Sequence, residues 1–394
     1  MNSPVPGPLS GGMQYQLQVY FAGIQNIQPQ LPVSYEALEQ KAGEVMRPEA
    51  FAYIAGGAGA ETTMQHNIAA FNKWRIVPRM LVDVSNRNIG VELFGTTLPT
   101  PVLLGPVGVL SLAHPEAELA VARAAKALGI PQVVSTVSSK TIEEIAAVHG
   151  DHPHWFQLYW GSNNDFTRSI INRAEQAGYS AIVVTLDTRL FAWRERDIQN
   201  AYLPFLYGQG LANYLSDPIF LAAVGDPAED KMRTMMQFAD CFSNPASTWE
   251  DLAVIRDCTR LPIILKGIQH PEDARKAIDH GADGIIVSNH GGRQLDGAIS
   301  ALDALDDIAG AVGDKTTILF DSGIRRGADV FKAMALGAKA VLIARPYAYG
   351  LALGGEEGVK EVVSNLLADV DLTLGLAGCT SWAEVTRDKL VRVE

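Results

Sequence analysis

The 394-residue chain has little cysteine, a deficit of positive charge and no long apolar run. Its three cysteines, Cys241, Cys258 and Cys379, lie far apart, with neither CxxC nor metal-ligand spacing. That argues against a disulfide framework and a metal site, and makes a reducing, cytoplasmic compartment the expectation. Lys and Arg number 32 against 44 Asp and Glu, a net charge of -12, and no run of four basic residues occurs. A nucleic-acid surface needs a clustered basic face, so no such partner is expected. The longest apolar stretch, around VLLGPVGVLSLA, is too short and too broken by Gly and Pro to span a bilayer. The opening MNSPVPGPLSGG has neither the basic nor the apolar region of a signal peptide.

What is present is a rhythm. Residues 1–32 mix Pro, Gly and Gln without periodicity and are expected to form an arm. Residues 33–394 read as one domain that opens on a helical pattern, SYEALEQKAGEV, with Ser34 as its N-cap. Eight short apolar runs follow, at 101–107, 131–136, 154–159, 181–187, 262–267, 284–288, 317–321 and 340–344. Such runs suit parallel strands buried on both faces. Amphipathic segments such as PEAELAVARAAKALG and PEDARKAIDHG separate them. Eight strand-helix units with right-handed crossovers predict an α/β fold, a (β/α)8 TIM barrel with an N-terminal helical extension. Residues 188–247, after the fourth run, show no clear period and are expected to be a long lid loop.

Barrel chemistry sits where strands end and their following loops converge. Polar residues cluster at those ends: Thr136, Gln157, Tyr159, Thr185, Asp187, Lys266, His290, Arg293, Asp321, Arg325 and Arg345. The last two loops, DSGIRRGAD and ARPYAYG, have the composition of a barrel phosphate site, with Gly323 permitting close backbone approach and Arg325 and Arg345 supplying charge. Lys266 ends an apolar strand and is expected to face an anion or an electron-rich ring edge. Arg194 and Arg293 are forks for a carboxylate, His290 is a proton acceptor, Asp187 its partner, and Tyr53 and Tyr159 offer hydroxyls to substrate oxygens. Two further motifs are set aside. His149, His152 and His154 fall at the opposite, N-terminal end of the third strand, and GGAG at 56–59 follows a helix-like segment, not a strand.

The stretch SNHGGRQLDG (288–297), supported by KGIQHPEDA, FDSGIRRG and the Arg345-Pro346 pair, resembles the signature of the FMN-dependent L-2-hydroxy acid dehydrogenases and oxidases. The resemblance runs from about residue 33 to the C-terminal helix. It implies FMN as cofactor, with Asp321, Ser322, Gly323, Arg325, Ala344 and Arg345 around the phosphate. Pro106, Val107, Gly108, Thr136, Gln157, Thr185 and Lys266 would surround the ring and ribityl chain. Tyr53, Tyr159, Arg194, His290 and Arg293 would hold a 2-hydroxy acid, with O2 as electron acceptor, Asp187 pairing with His290, and Tyr214 covering the substrate from the lid. A homotetramer or larger assembly is also implied.

Two positions depart from the family pattern: Ala344 replaces the usual glycine, and Gly108 a common alanine, a change expected to leave room beside the substrate. With LDTRLFAWRERD, GLANYLSDP and RPYAYGLALGG, Gly108 makes the chain most similar to the lactate 2-monooxygenase branch, whose members convert lactate to acetate, CO2 and water. An oxidase releasing pyruvate and H2O2 is the alternative. Outside the resemblance stand a flavin-free barrel using Lys266 as a Schiff base on a phosphorylated metabolite, and a non-catalytic nucleotide-binding barrel.

Overall fold

The computed structural model describes residues 11–393. Eight parallel strands close a barrel: β1 Val102–Leu104, β2 Gln132–Ser135, β3 His154–Tyr159, β4 Ile182–Thr185, β5 Ile263–Ile268, β6 Gly284–Val287, β7 Thr317–Phe320 and β8 Ala340–Ile343. They pair in chain order, and β8 closes on β1 with Val341 beside Val102. A helix follows most strands, because the outward apolar residues must be covered and a crossover of this length is the shortest way back to a parallel neighbour.

Side chains alternate across a strand, so each β-strand sends every second residue inward. One inward layer is Leu103, Val133, Trp155, Val183, Ile264, Ile286, Leu319 and Leu342, a single buried apolar cluster. A short hairpin, Val91–Leu93 with Thr96–Leu98, plugs the N-terminal mouth, and Phe94 packs edge-on against Trp155 at 5.7 Å. Two residues further along each strand come Gly105, Ser135, Gln157, Thr185, Lys266, Ser288, Asp321 and Ala344. The polarity of the barrel therefore changes from one layer to the next.

Two stretches that lack periodicity are nonetheless structured. Residues 1–10 of the expected arm lie outside the described residues, but Gly12–Ile24 is a helix seated on the C-terminal helical segment Arg345–Leu376. Gly12 N donates to Asp371 Oδ2 at 2.6 Å and the Tyr15 hydroxyl to Asn365 Oδ1 at 2.9 Å. The stretch after β4 folds into short helices, the longest Lys231–Phe242, around a cluster in which Phe205 and Phe238 lie 4.7 Å apart. Among the described residues, no helix is long and apolar enough to cross a membrane.

Candidate active site

A cleft opens at the C-terminal end of the barrel. Its lining includes Tyr53, Pro106, Val107, Gly108, Tyr159, Arg194, Lys266, His290, Arg293, Asp321, Ser322, Gly323, Arg325, Ala344 and Arg345. The loop after β6 brings the imidazole there by an unusual backbone path: His290, Gly291 and Gly292 all have left-handed φ, at 58°, 64° and 76°. A side chain at Gly292 would strike the backbone of Met64, its Cβ falling 2.5 Å from that nitrogen, so glycine is required. His290 has no such freedom, and its strained backbone is held by neighbours. Asn289 Oδ1 accepts from Gly292 N at 3.1 Å, Asn67 and Asn289 exchange side-chain amide bonds at 2.7 Å, and Ser288 Oγ accepts from His290 N at 3.0 Å.

His290 Nδ1 sits 2.8 Å from Asp187 Oδ1. Burial, and secondarily the nearby Lys266 charge, holds the imidazole below its ordinary pKa although Asp187 pulls the other way. Burial opposes ionisation of Asp187, but His290 and Lys266 outweigh it and bring the carboxyl down to about 2. At neutral pH the pair is an ionised carboxylate and a neutral ring. The Asp187 bond selects the Nδ1–H tautomer, which leaves Nε2 as a proton acceptor. Lys266 is 3 % exposed. Burial disfavours its charge, yet Asp321 at 3.2 Å and Asp187 keep its pKa above the usual value. A Schiff-base lysine needs a depressed pKa, so Lys266 is a fixed cation.

The guanidiniums are short of anions. Arg293 is half-buried, and desolvation of its guanidinium together with Arg194 and Arg345 brings its pKa down to about 9. Its Nη1 donates to the carbonyls of Tyr53 and Gly56, each at 2.7 Å. Arg194 donates to Arg293 O and Gln294 Oε1, and the nearest carboxylate, Asp197, is 3.9 Å away. Arg345 spans to Gly291 O and Gly56 O. The Nε atoms of Arg325 and Arg345 are buried without a partner. Unpaired guanidinium nitrogens beside the left-handed Ser322 and Gly323 fit a phosphate group. Among the described residues, no group of three His, Cys, Asp or Glu side chains is arranged to hold a metal.

Three expectations need correction. Thr136 does not face the cleft: its hydroxyl donates to Gln157 O at 2.6 Å and accepts from Tyr159 N, within the barrel wall. The two-residue period puts Ser135 on the inward layer instead, where its hydroxyl donates to Gln157 Oε1, and Gln157 Nε2 donates to Thr185 Oγ1. Tyr214 does not cover the cleft; it is fully buried, stacked 4.9 Å from Phe166. Phe191, Leu203, Phe205 and Phe242 are the residues of this stretch that reach the cleft with Arg194 and Thr188. Finally, Gly108 leaves no vacancy, because a Cβ there would lie 2.4 Å from Val137 Cγ2.

Some contributors carry no sequence signal of their own. Asp296 accepts from Ala60 N, Thr62 Oγ1 and Thr63 N, tying the 56–63 segment to the loop after β6. Thus GGAG contributes through the Gly56 carbonyl shared by Arg293 and Arg345.

A model of the family described as FMN-dependent dehydrogenase matches residues 42–392. The chain belongs to that family. FMN is accordingly its cofactor, and 2-hydroxy acid oxidation its class of reaction. The chain is 44% identical over 384 residues to an FMN-dependent alpha-hydroxy acid dehydrogenase of Penicillium citrinum, covering 96% of each. It is 46% identical over 355 residues to an L-lactate oxidase of Lysinibacillus sphaericus, covering 90% of this chain and 91% of that one. A solved mandelate oxidase with benzoyl-formic acid superposes with a TM-score of 0.80 at 39% identity, covering 92% of this chain and 98% of the other.

Proposed function

We propose that the chain oxidises L-lactate, or a similarly short L-2-hydroxy acid, with O2 as final acceptor and retains the keto acid until it is decarboxylated. The observation that carries the reading is His290, oriented by Asp187 at 2.8 Å, beside guanidiniums with no carboxylate closer than 3.9 Å. FMN, when bound, would supply the two-electron redox chemistry that links the substrate to O2. Arg194 and Arg293 receive the carboxylate, and Tyr53 and Tyr159 orient the substrate oxygens. Nε2 of His290 accepts the substrate proton, and the imidazolium so formed is stabilised by Asp187.

The residues that would hold the cofactor are then Pro106, Val107 and Gly108 for the ring, the row Ser135, Gln157 and Thr185 for its polar atoms, and cationic Lys266 for its negative charge. Asp321, Ser322, Gly323, Arg325, Ala344 and Arg345 would hold the ribityl phosphate end. Oxidation yields pyruvate and H2O2. If both stay in the cleft, peroxide adds to the keto carbon, the bond to the carboxyl carbon breaks as its electron pair displaces the O–O bond, and acetate, CO2 and water leave. The close Gly108–Val137 contact and the apolar cover of Phe191, Leu203, Phe205 and Phe242 support retention. The relatives named L-lactate oxidase favour a second reading, release of pyruvate and H2O2. Products formed from L-lactate in air separate the two: acetate and CO2 support retention, whereas pyruvate with stoichiometric H2O2 overturns it.

For the setting we propose a cytoplasmic homo-oligomer, a tetramer or larger. Met13, Tyr20, Phe21 and Ile24 expose an apolar face on the N-terminal helix, which supports self-association. A sedimentation mass of one chain would exclude it.

A further inference from the structure

Glu118 is a buried carboxylate that the chemistry above does not use. It lies in the first turn of the helix Ala117–Leu128, 1 % exposed. Its Oε1 accepts from Leu110 N at 3.3 Å and from Ser139 N at 3.0 Å, while Oε2 is buried without a partner. One carboxylate oxygen thus joins the loop after β1 to the loop after β2. These two loops carry Gly108 and Val137, which lie against each other and both line the cleft with Tyr159 and His290.

The joint is under strain. Val109, between Gly108 and Leu110, has a left-handed φ of 56°. A β-branched residue resists that conformation and keeps it only where surrounding bonds over-determine it. Here Val109 N donates to Val137 O at 2.9 Å, Ser111 N donates to Ser139 Oγ at 3.1 Å, and the Ser139 hydroxyl donates to Ser111 Oγ at 3.0 Å. Glu118 completes the set from behind.

We infer that Glu118 is a positioning residue for the oxidation: its carboxylate fixes the Gly108–Val137 wall and thereby sets how large a 2-hydroxy acid the cleft accepts. The inference needs 2-hydroxy acid oxidation alone and does not depend on the fate of the keto acid. Burial raises the Glu118 pKa to about 7 against the pull of its backbone donors and of Lys140, so its charge changes within the working range. The other titratable groups that sense it are the Tyr347 and Tyr179 hydroxyls, both pushed upward chiefly by burial and bonded to Gly105 O and Ile142 O.

The test is Glu118→Gln in the FMN-loaded enzyme, which keeps the shape but removes the charge and leaves an amide without an acceptor. The readout is the ratio of kcat/KM for L-lactate to that for L-mandelate. We expect the ratio to fall about tenfold while FMN stays bound, the scale on which apolar walls discriminate substrate size. In the unaltered enzyme the ratio should also change with pH through about 7. In the variant it should be flat, which a merely structural glutamate would not produce. Introducing Val109→Gly, which removes the strain, should shrink the effect of Glu118→Gln. A ratio within about twofold of the parent's in a folded, FMN-loaded variant overturns the inference, since that is the scatter of uncoupled sites. Should Glu118→Gln not fold, Ser139→Ala, which removes only the hydroxyl clasp on the same wall, is read by the same ratio, and no change again counts against it.

Discussion

The two ends of the barrel use histidine in opposite ways. At the C-terminal end, His290 has an ionised carboxylate on one nitrogen and an open cleft on the other. At the N-terminal end, His149 is fully buried, stacked on His154 with ring centroids 4.6 Å apart and nearly parallel planes. Its partner is neutral, Gln132 Oε1 at 2.9 Å from Nε2. Burial, with His154 and His152 alongside, takes the His149 pKa down to about 3. Both rings are neutral at pH 7, but only one has a partner that stabilises its protonated form. A histidine works as a base where protonation can be accommodated, and as packing where it cannot.

That contrast can be broken at either end. The largest effect is expected from Asp187→Asn, which removes the charge behind His290: kcat should fall about 10²–10⁴-fold, as for loss of a base's support, with the fold intact by circular dichroism. At the other end, Trp155→Ala opens the apolar layer below the site and should cost about 3–5 kcal/mol in urea unfolding, while the acid limb of the rate profile stays in place. Arg194→Ala should mainly raise KM for L-lactate, by about tenfold, because a carboxylate fork is lost and the base is untouched.

Two smaller effects are read on the pH axis. Catalysis requires His290 unprotonated, and burial lowers its pKa, so the acid limb of kcat/KM should fall below the ordinary imidazole value of 6.5. For His149 the folded pKa is depressed, so the unfolded chain binds the extra proton. Stability should then be full above about pH 6.5 and decline toward about 3, by about 2 kcal/mol between pH 7 and 5. His149→Leu should flatten that slope, and a slope unchanged in the variant would remove His149 as its cause.

Much of this arrangement was legible in residue order. The eight apolar runs and the polar residues at their ends follow from burial on both faces and from loop convergence, and both recur in the structure. The errors have physical causes. Thr136 and Ser135 are equally polar, and only the strand's phase decides which faces inward. The helix Gly12–Ile24 is apolar on its exposed side as well as where it packs, so its period is hidden. The family resemblance puts Tyr214 over the substrate, but its stretch forms a compact aromatic cluster whose contacts span distant segments. The Gly108–Val137 contact joins two loops, and no local pattern encodes it.

The most direct measurement is anaerobic reduction of the bound flavin by L-lactate, followed by visible absorbance, in the parent protein and in His290→Ala. The parent should bleach, and the variant should keep its FMN and its colour, because the cleft is intact while the proton acceptor is gone. A His290→Ala protein that bleaches as fast as the parent would contradict the assignment of His290 as the base.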